Sequence, residues 1–126
     1  MSLSVLIVDD IFINRMLLRE ILKNICTECY EAENGKDAIE LLNRKNIDIV
    51  LMDIEMPVMN GIETTIHIRE KFIYPRKNIP IIALTAHDVN VIFNNKTFEE
   101  VGFNKLLTKP YSQGSILNII KEFVKK

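Results

Sequence analysis

Five short apolar runs alternate with amphipathic stretches along the 126 residues, and that alternation constrains the fold more than any other feature. The runs are SVLIV (Ser4 to Val8), TECYEA (Thr27 to Ala32), DIVLM (Asp48 to Met52), PIIAL (Pro80 to Leu84) and KLLT (Lys105 to Thr108). All have strand length, and the first, third and fourth are nearly continuous in apolar residues, as strands covered on both faces must be. Between them the period changes. Leu17, Leu18, Ile21, Leu22 and Ile25 recur at helical spacing, which puts Arg15, Arg19 and Lys23 on the opposite, solvent side. Ala38, Ile39 and Leu42 give a second helix its apolar face, and Ile62 and Ile66 begin a third after Asn60-Gly61. Asn34-Gly35 reads as the turn after the second strand. A helix from Asp88 to Val101 is expected to be weak, because Val89, Asn90, Val91, Asn94, Asn95 and Thr97 are modest helix formers. Ser112 or Ser115 is placed to cap a last helix through Val124. Strands alternating with helices predict an α/β fold, with a parallel five-stranded sheet between two layers of five helices in all.

The length fits one domain spanning residues 1–126. Sixteen basic against seventeen acidic residues leave a net charge of −1, which argues against a broad basic face for nucleic acid. No apolar run approaches the ~20 residues of a membrane span, so no membrane contact is expected. The amino terminus lacks the pattern of a secretory signal, and a cytoplasmic setting is expected. Cys26 and Cys29 form a CxxC, but the pair leads into a strand rather than opening a helix, and no second CxxC completes a zinc site. They read as structural thiols of a reducing compartment.

Ligands of open α/β sheets bind beyond the carboxyl ends of the strands. Strand one ends in Asp9-Asp10, strand three in Asp53, strand four in Thr85 and strand five in Thr108-Lys109-Pro110. Singly, each has a plain reading: Asp10 as a helix cap, Thr85 as a turn residue, Lys109 as a solvated lysine. Together, three carboxylates at neighbouring strand ends repel one another, and a divalent cation resolves that repulsion. Hard oxygen ligands point to Mg²⁺. Thr85 and Lys109 then face the anion that accompanies it.

The segments LIVDD, LMDIEMPVMNG, ALTA and LLTKP, in this order and close to this spacing, resemble the receiver domains of two-component response regulators over nearly the whole chain. Asn14-Arg15, DIEMPVMNG and ALTA are most similar to receivers attached to hybrid histidine kinases. The resemblance implies a flavodoxin-like, doubly wound sheet. It implies that Asp53 accepts a phosphoryl group and that Asp9, Asp10, Asp53 and the backbone carbonyl of Glu55 hold Mg²⁺, with Asp10 closer to the metal than Asp9. Lys109 would pair with one phosphoryl oxygen and Thr85 with another, and Lys109-Pro110 would be a cis peptide. The implied donor is a histidine kinase or a histidine phosphotransfer protein, and the implied effector face is Val89–Val101 with Lys105–Val124. Such a domain catalyses its own aspartyl phosphorylation and dephosphorylation; excised from a hybrid sensor, its parent would be a histidine kinase.

The chain departs from the family at Leu106, where many receivers carry an aromatic residue that moves with the threonine. The segments Lys71 to Asn78 and Thr85 to Gly102 are longer than usual. The alternative reading is an Mg²⁺-dependent, phosphatase-like hydrolase with an aspartate nucleophile. Those of the haloacid dehalogenase family carry DxD after strand one, whereas Asp9 and Asp10 are adjacent.

Overall fold

The computed structural model describes residues 2–86 and 96–123. Five strands, β1 (Ser4–Val8), β2 (Glu28–Ala32), β3 (Ile49–Asp53), β4 (Ile81–Thr85) and β5 (Lys105–Thr108), form one parallel sheet in the order β2-β1-β3-β4-β5. Helices α1 (Phe12–Leu22), α2 (Gly35–Arg44), α3 (Gly61–Lys71), α4 (Phe98–Val101) and α5 (Gln113–Phe123) link or follow them. This is the doubly wound, flavodoxin-like order, with the strand sequence reversing between β1 and β3. No helix among the described residues is long and apolar enough to cross a membrane.

Alternation along the strands divides the core into two layers. Leu6, Val8, Val50, Met52, Ile81 and Ala83 meet Ala38, Leu42 and Ile68 of α2 and α3. Val5, Ile7, Ile49, Leu51, Ile82 and Leu84 meet Leu18, Leu22, Ile116 and Ile120 of α1 and α5. The central strands β3 and β4 are buried at every position; the edge strands β2 and β5 are only partly covered.

Side-chain caps fix the helix starts. Asn34 accepts from the Asp37 amide, and Asn60 and Glu63 form a reciprocal capping box. Asn34-Gly35 and Asn60-Gly61 are therefore helix entries. Their glycines serve close packing: a Cβ on Gly35 would lie 1.8 Å from Thr64 Oγ1, and one on Gly61 2.4 Å from the Asp53 carbonyl oxygen.

Three sequence expectations are corrected. Arg15 is buried and Leu17 is exposed, because the Arg15 guanidinium finds polar partners inside while Leu17 faces out on α1. Ile66 is exposed, and α3 instead buries Gly61, Thr64, Thr65 and Ile68; the Thr64 hydroxyl is satisfied by the Asn60 carbonyl at 2.7 Å. The helix expected from Asp88 to Val101 is not continuous: Lys96 and Thr97 are non-helical, and Thr97 with Glu100 forms a capping box that starts α4 afresh. Residues 88–95 of that segment, and Val124 of the last helix, lie outside the described residues. Ser112 is the cap of α5, accepting from the Ser115 amide at 3.1 Å.

Candidate functional site

The strand-order reversal opens a crevice at the carboxyl ends of β1 and β3, where a doubly wound sheet binds its ligands. Asp9 follows β1 and is fully buried; Asp53 closes β3 and is 4% exposed. Asp10, the next residue, is exposed. Carboxylate oxygens of Asp9, Asp10 and Asp53 all lie within 4.8 Å of one another. The Asp9 amide donates to the Ala32 carbonyl at 3.1 Å, and its Oδ1 accepts from the Ile11 amide at 2.9 Å. Asp9 thus braces the turn into α1. Asp10 does not cap that helix, whose N-cap is Ile11 without a side-chain bond.

The opposite wall comes from β4 and β5. Thr85 is the buried last residue of β4, in register with Thr108, and its carbonyl accepts from the Lys109 amide at 2.7 Å. The Lys109-Pro110 peptide is cis. The Lys109 ammonium lies 3.4 Å from Asp53 Oδ1 and 3.6 Å from Asp9 Oδ2. Glu55 is exposed in the loop two residues beyond Asp53. The structure therefore brings Asp9, Asp10, Asp53, Thr85 and Lys109 to one edge of the sheet.

One ammonium does not balance three carboxylates. Burial, then the charge of Asp9, pushes the Asp53 carboxyl up to about 6, although Lys109 draws it down. Asp9 Oδ2 is buried and accepts no hydrogen bond among the described residues; the ammonium at 3.6 Å is its ion-pair partner. A cluster of hard oxygens with surplus negative charge and a buried oxygen lacking a donor fits a small divalent cation of the Mg²⁺ type.

Sequence reasoning missed three neighbours. Tyr111 is half-buried, and its phenol is pushed up to about 12 by burial and then by the charges of Asp9 and Asp53. Asn14 Nδ2 donates to Asp9 Oδ1 at 3.5 Å, a long contact. Arg15 donates to the Asp9 carbonyl at 2.8 Å. The chain's signal for the last two was the Asn14-Arg15 pair, which the sequence offered only as part of its resemblance to hybrid-kinase receivers and not as a contact of Asp9. The cysteines are free thiols at the other end of the sheet, and burial first pushes Cys29 up to about 12, leaving it a weak nucleophile.

Outside the acids, Ile11, Phe12, Ile13, Met16 and Leu17 at the start of α1 are each at least 44% exposed. A groove of about 600 Å³ runs from Leu17 and Ile21 to Lys109, Pro110 and Tyr111.

Comparison with known proteins adds lineage to this geometry. A family model described as the response regulator receiver domain matches residues 5–121. The chain is 32% identical over 123 residues to the aerobic respiration control sensor protein ArcB of Escherichia coli, covering 97% of this chain and 15% of that protein. It thus spans only a small part of that relative. It is 35% identical over 122 residues to the chemotaxis protein CheY of Halobacterium salinarum, covering 97% of each. Among solved structures, the response regulator TrrA of Thermotoga maritima in complex with Mg²⁺-BeF is 30% identical, with a TM-score of 0.82 over 98% of this chain and 100% of that one.

Proposed function

The chain belongs to the response regulator receiver family of two-component signalling, and from that premise we propose that it is one receiver module over residues 1–126 that takes a phosphoryl group onto Asp53 in an Mg²⁺-dependent phosphorelay. The observation that carries this reading is the Asp53 carboxylate at the tip of a fully buried strand, with two carboxylates within 4.8 Å and an ammonium at 3.4 Å. A nucleophile in phosphoryl transfer needs a fixed position, and β3, buried at every residue, supplies it.

Asp9, Asp10, Asp53 and the Glu55 carbonyl would hold the metal, which supplies neutralisation of charge on the transferring group. Asp53 attacks phosphorus through a carboxylate oxygen while the bond to the donor nitrogen breaks; with the donor's second ring nitrogen carrying its proton, the electron pair leaves on a neutral imidazole and the product is an acyl phosphate. Lys109 moves its ammonium from Asp53 to a phosphoryl oxygen, and the Thr85 hydroxyl donates to another. Positioning and charge provide the catalysis, and no separate acid or base is invoked. The exposed apolar ridge on α1, beside Asp9 and Asp10, is the surface that a histidine kinase or phosphotransfer protein covers when it brings its phosphohistidine to the pocket. The effector is assigned to the face that carries α4, β5 and α5, where Leu106 stays packed with the core beside Ala83.

Incubation with acetyl phosphate and Mg²⁺ distinguishes this from a hydrolase. The receiver reading expects one added phosphoryl group by intact mass, none on Asp53→Ala, and no turnover of p-nitrophenyl phosphate. Sustained turnover of that ester with no acyl phosphate accumulating would favour the hydrolase.

A further inference from the structure

Arg15 stands one turn into α1, 7% exposed, with the partners of its guanidinium on three segments of the chain. Nη1 donates to the Asp9 carbonyl at 2.8 Å. Nε donates to Glu31 Oε1 on β2, also at 2.8 Å. The ring of Phe12 covers the outer side, 5.6 Å from the guanidinium carbon. Glu31 is itself held by Arg19 at 3.0 Å. The Asp9 backbone is gripped at both ends, its amide by the Ala32 carbonyl and its carbonyl by Arg15. That carbonyl belongs to the planar peptide joining Asp9 to Asp10, so fixing it also fixes where the Asp10 backbone starts.

We propose that Arg15 is a positioning residue for the acid pocket: by clamping the Asp9-Asp10 peptide against β2, it holds both carboxylates turned toward Asp53 in the arrangement that Mg²⁺ requires. The proposal rests on the reading of the three acids as a metal and phosphoryl site. Arginine suits the task because one planar fork serves two acceptors at once, which a lysine ammonium on a flexible stem does not do in the same geometry. Glu31 at 2.8 Å, which Arg19 shares, and Glu33 at 3.8 Å together balance the guanidinium, so that Arg15 orders the pocket without setting an unmatched positive charge beside the metal.

The competing account is a plain ion pair that joins α1 to the edge strand, and the two accounts differ in the sign of one measurable effect. Removing the charge with Arg15→Met makes the pocket more negative. If the residue acts on the pocket by its charge alone, Mg²⁺ binds as well as before or more tightly. If it positions the acids, binding weakens despite the added negative potential. Groups that orient metal ligands change affinity by roughly 10- to 100-fold, so Arg15→Met is expected to weaken Mg²⁺ binding by about tenfold or more. Arg15→Lys keeps the charge and loses the fork, and is expected to recover only part of the affinity.

The test is a titration of the folded protein with MgCl₂, following the backbone amide resonances of Asp9, Asp10 and Asp53. If Arg15→Met does not fold, Arg15→Lys carries the comparison. Weaker binding in whichever variants fold supports the proposal. Wild-type or tighter binding in Arg15→Met, or in Arg15→Lys when it alone folds, overturns it. A wild-type protein that binds no Mg²⁺ overturns the reading of the acid site itself, a separate result.

Discussion

Gly61→Ala is the smallest change that should disturb the proposed nucleophile without touching its chemistry. Gly61 opens α3 directly under the end of β3, and its amide donates to the Ile54 carbonyl at 2.8 Å. A methyl group there would lie 2.4 Å from the Asp53 carbonyl oxygen, 2.8 Å from Ile54 Cα and 3.0 Å from Met52 Cγ. Ordinary contact begins near 3.4 Å, so the chain must give by about 1 Å. Two of the three obstacles are backbone, one at the end of a strand buried at every position and one in the buried residue that follows it, and neither can rotate aside. Overpacking at such a site costs about 3 kcal/mol, the upper end of the usual range. For a domain of this size that lowers Tm by roughly 10 °C. A nucleophile displaced by about 1 Å loses on the order of 100-fold in rate. Thermal unfolding by circular dichroism and the time course of phosphoryl uptake from acetyl phosphate, by intact mass, measure the two effects. Gly114→Ala is the control: its methyl meets nothing closer than 3.9 Å on an exposed turn of α5, so stability should rise by about 0.5–1 kcal/mol with uptake unchanged. A Gly61→Ala protein with wild-type Tm and wild-type uptake would refute the packing argument.

Three further outcomes follow from the site. Without metal, the Asp53 carboxyl should titrate near pH 6 by ¹³C NMR, above its ordinary 3.8, and Mg²⁺ should move it down; a metal-free midpoint near 4 contradicts the electrostatics. Because the folded value is raised, ionised Asp53 destabilises the fold fully above about pH 6, and the penalty fades as pH falls from 6 toward 3.8. Asp53→Asn should therefore raise Tm at pH 7.5 in metal-free buffer, with the advantage shrinking as Mg²⁺ is added; a lower metal-free Tm contradicts it. Val58 has φ of 70° in the loop after β3, strained for a β-branched residue, and its side chain is 79% exposed. Val58→Asn should gain about 1 kcal/mol in urea unfolding, and no gain means that the loop stores no such strain.

The sheet was legible because its central strands are buried on both faces, and such strands announce themselves as unbroken apolar runs. The site residues were legible because polar groups break off the apolar runs at their carboxyl ends, so Asp9, Asp53 and Thr85 stand out there although all three are buried. What periodicity could not show was a polar group that goes inward with its partner. Arg15 reads as a solvent-side arginine until Glu31, sixteen residues away, and the Asp9 carbonyl are placed against it. Thr64 likewise goes inward with its partner, the Asn60 carbonyl, and packs where Gly35 of α2 comes close, so that the inner face of α3 falls to Thr64 and Thr65 and Ile66 is left outside. The break before α4 is written in Thr97 and Glu100 as a capping box, a signal that a run of modest helix formers on its amino-terminal side obscures. Tyr111 lies only two residues after Lys109, and nothing in the residues alone shows that its phenol comes under the field of Asp9 and Asp53.

The central claim is that Asp53 itself carries the phosphoryl group. Borohydride reduces an aspartyl phosphate to homoserine, which marks the modified residue permanently. The protein is treated with acetyl phosphate and Mg²⁺, reduced, digested and sequenced by fragmentation mass spectrometry. Homoserine at position 53, and absent when Mg²⁺ is omitted, is the predicted result. Homoserine at position 9 or 10, or an unmodified Asp53 in protein that has gained a phosphoryl group, would contradict it.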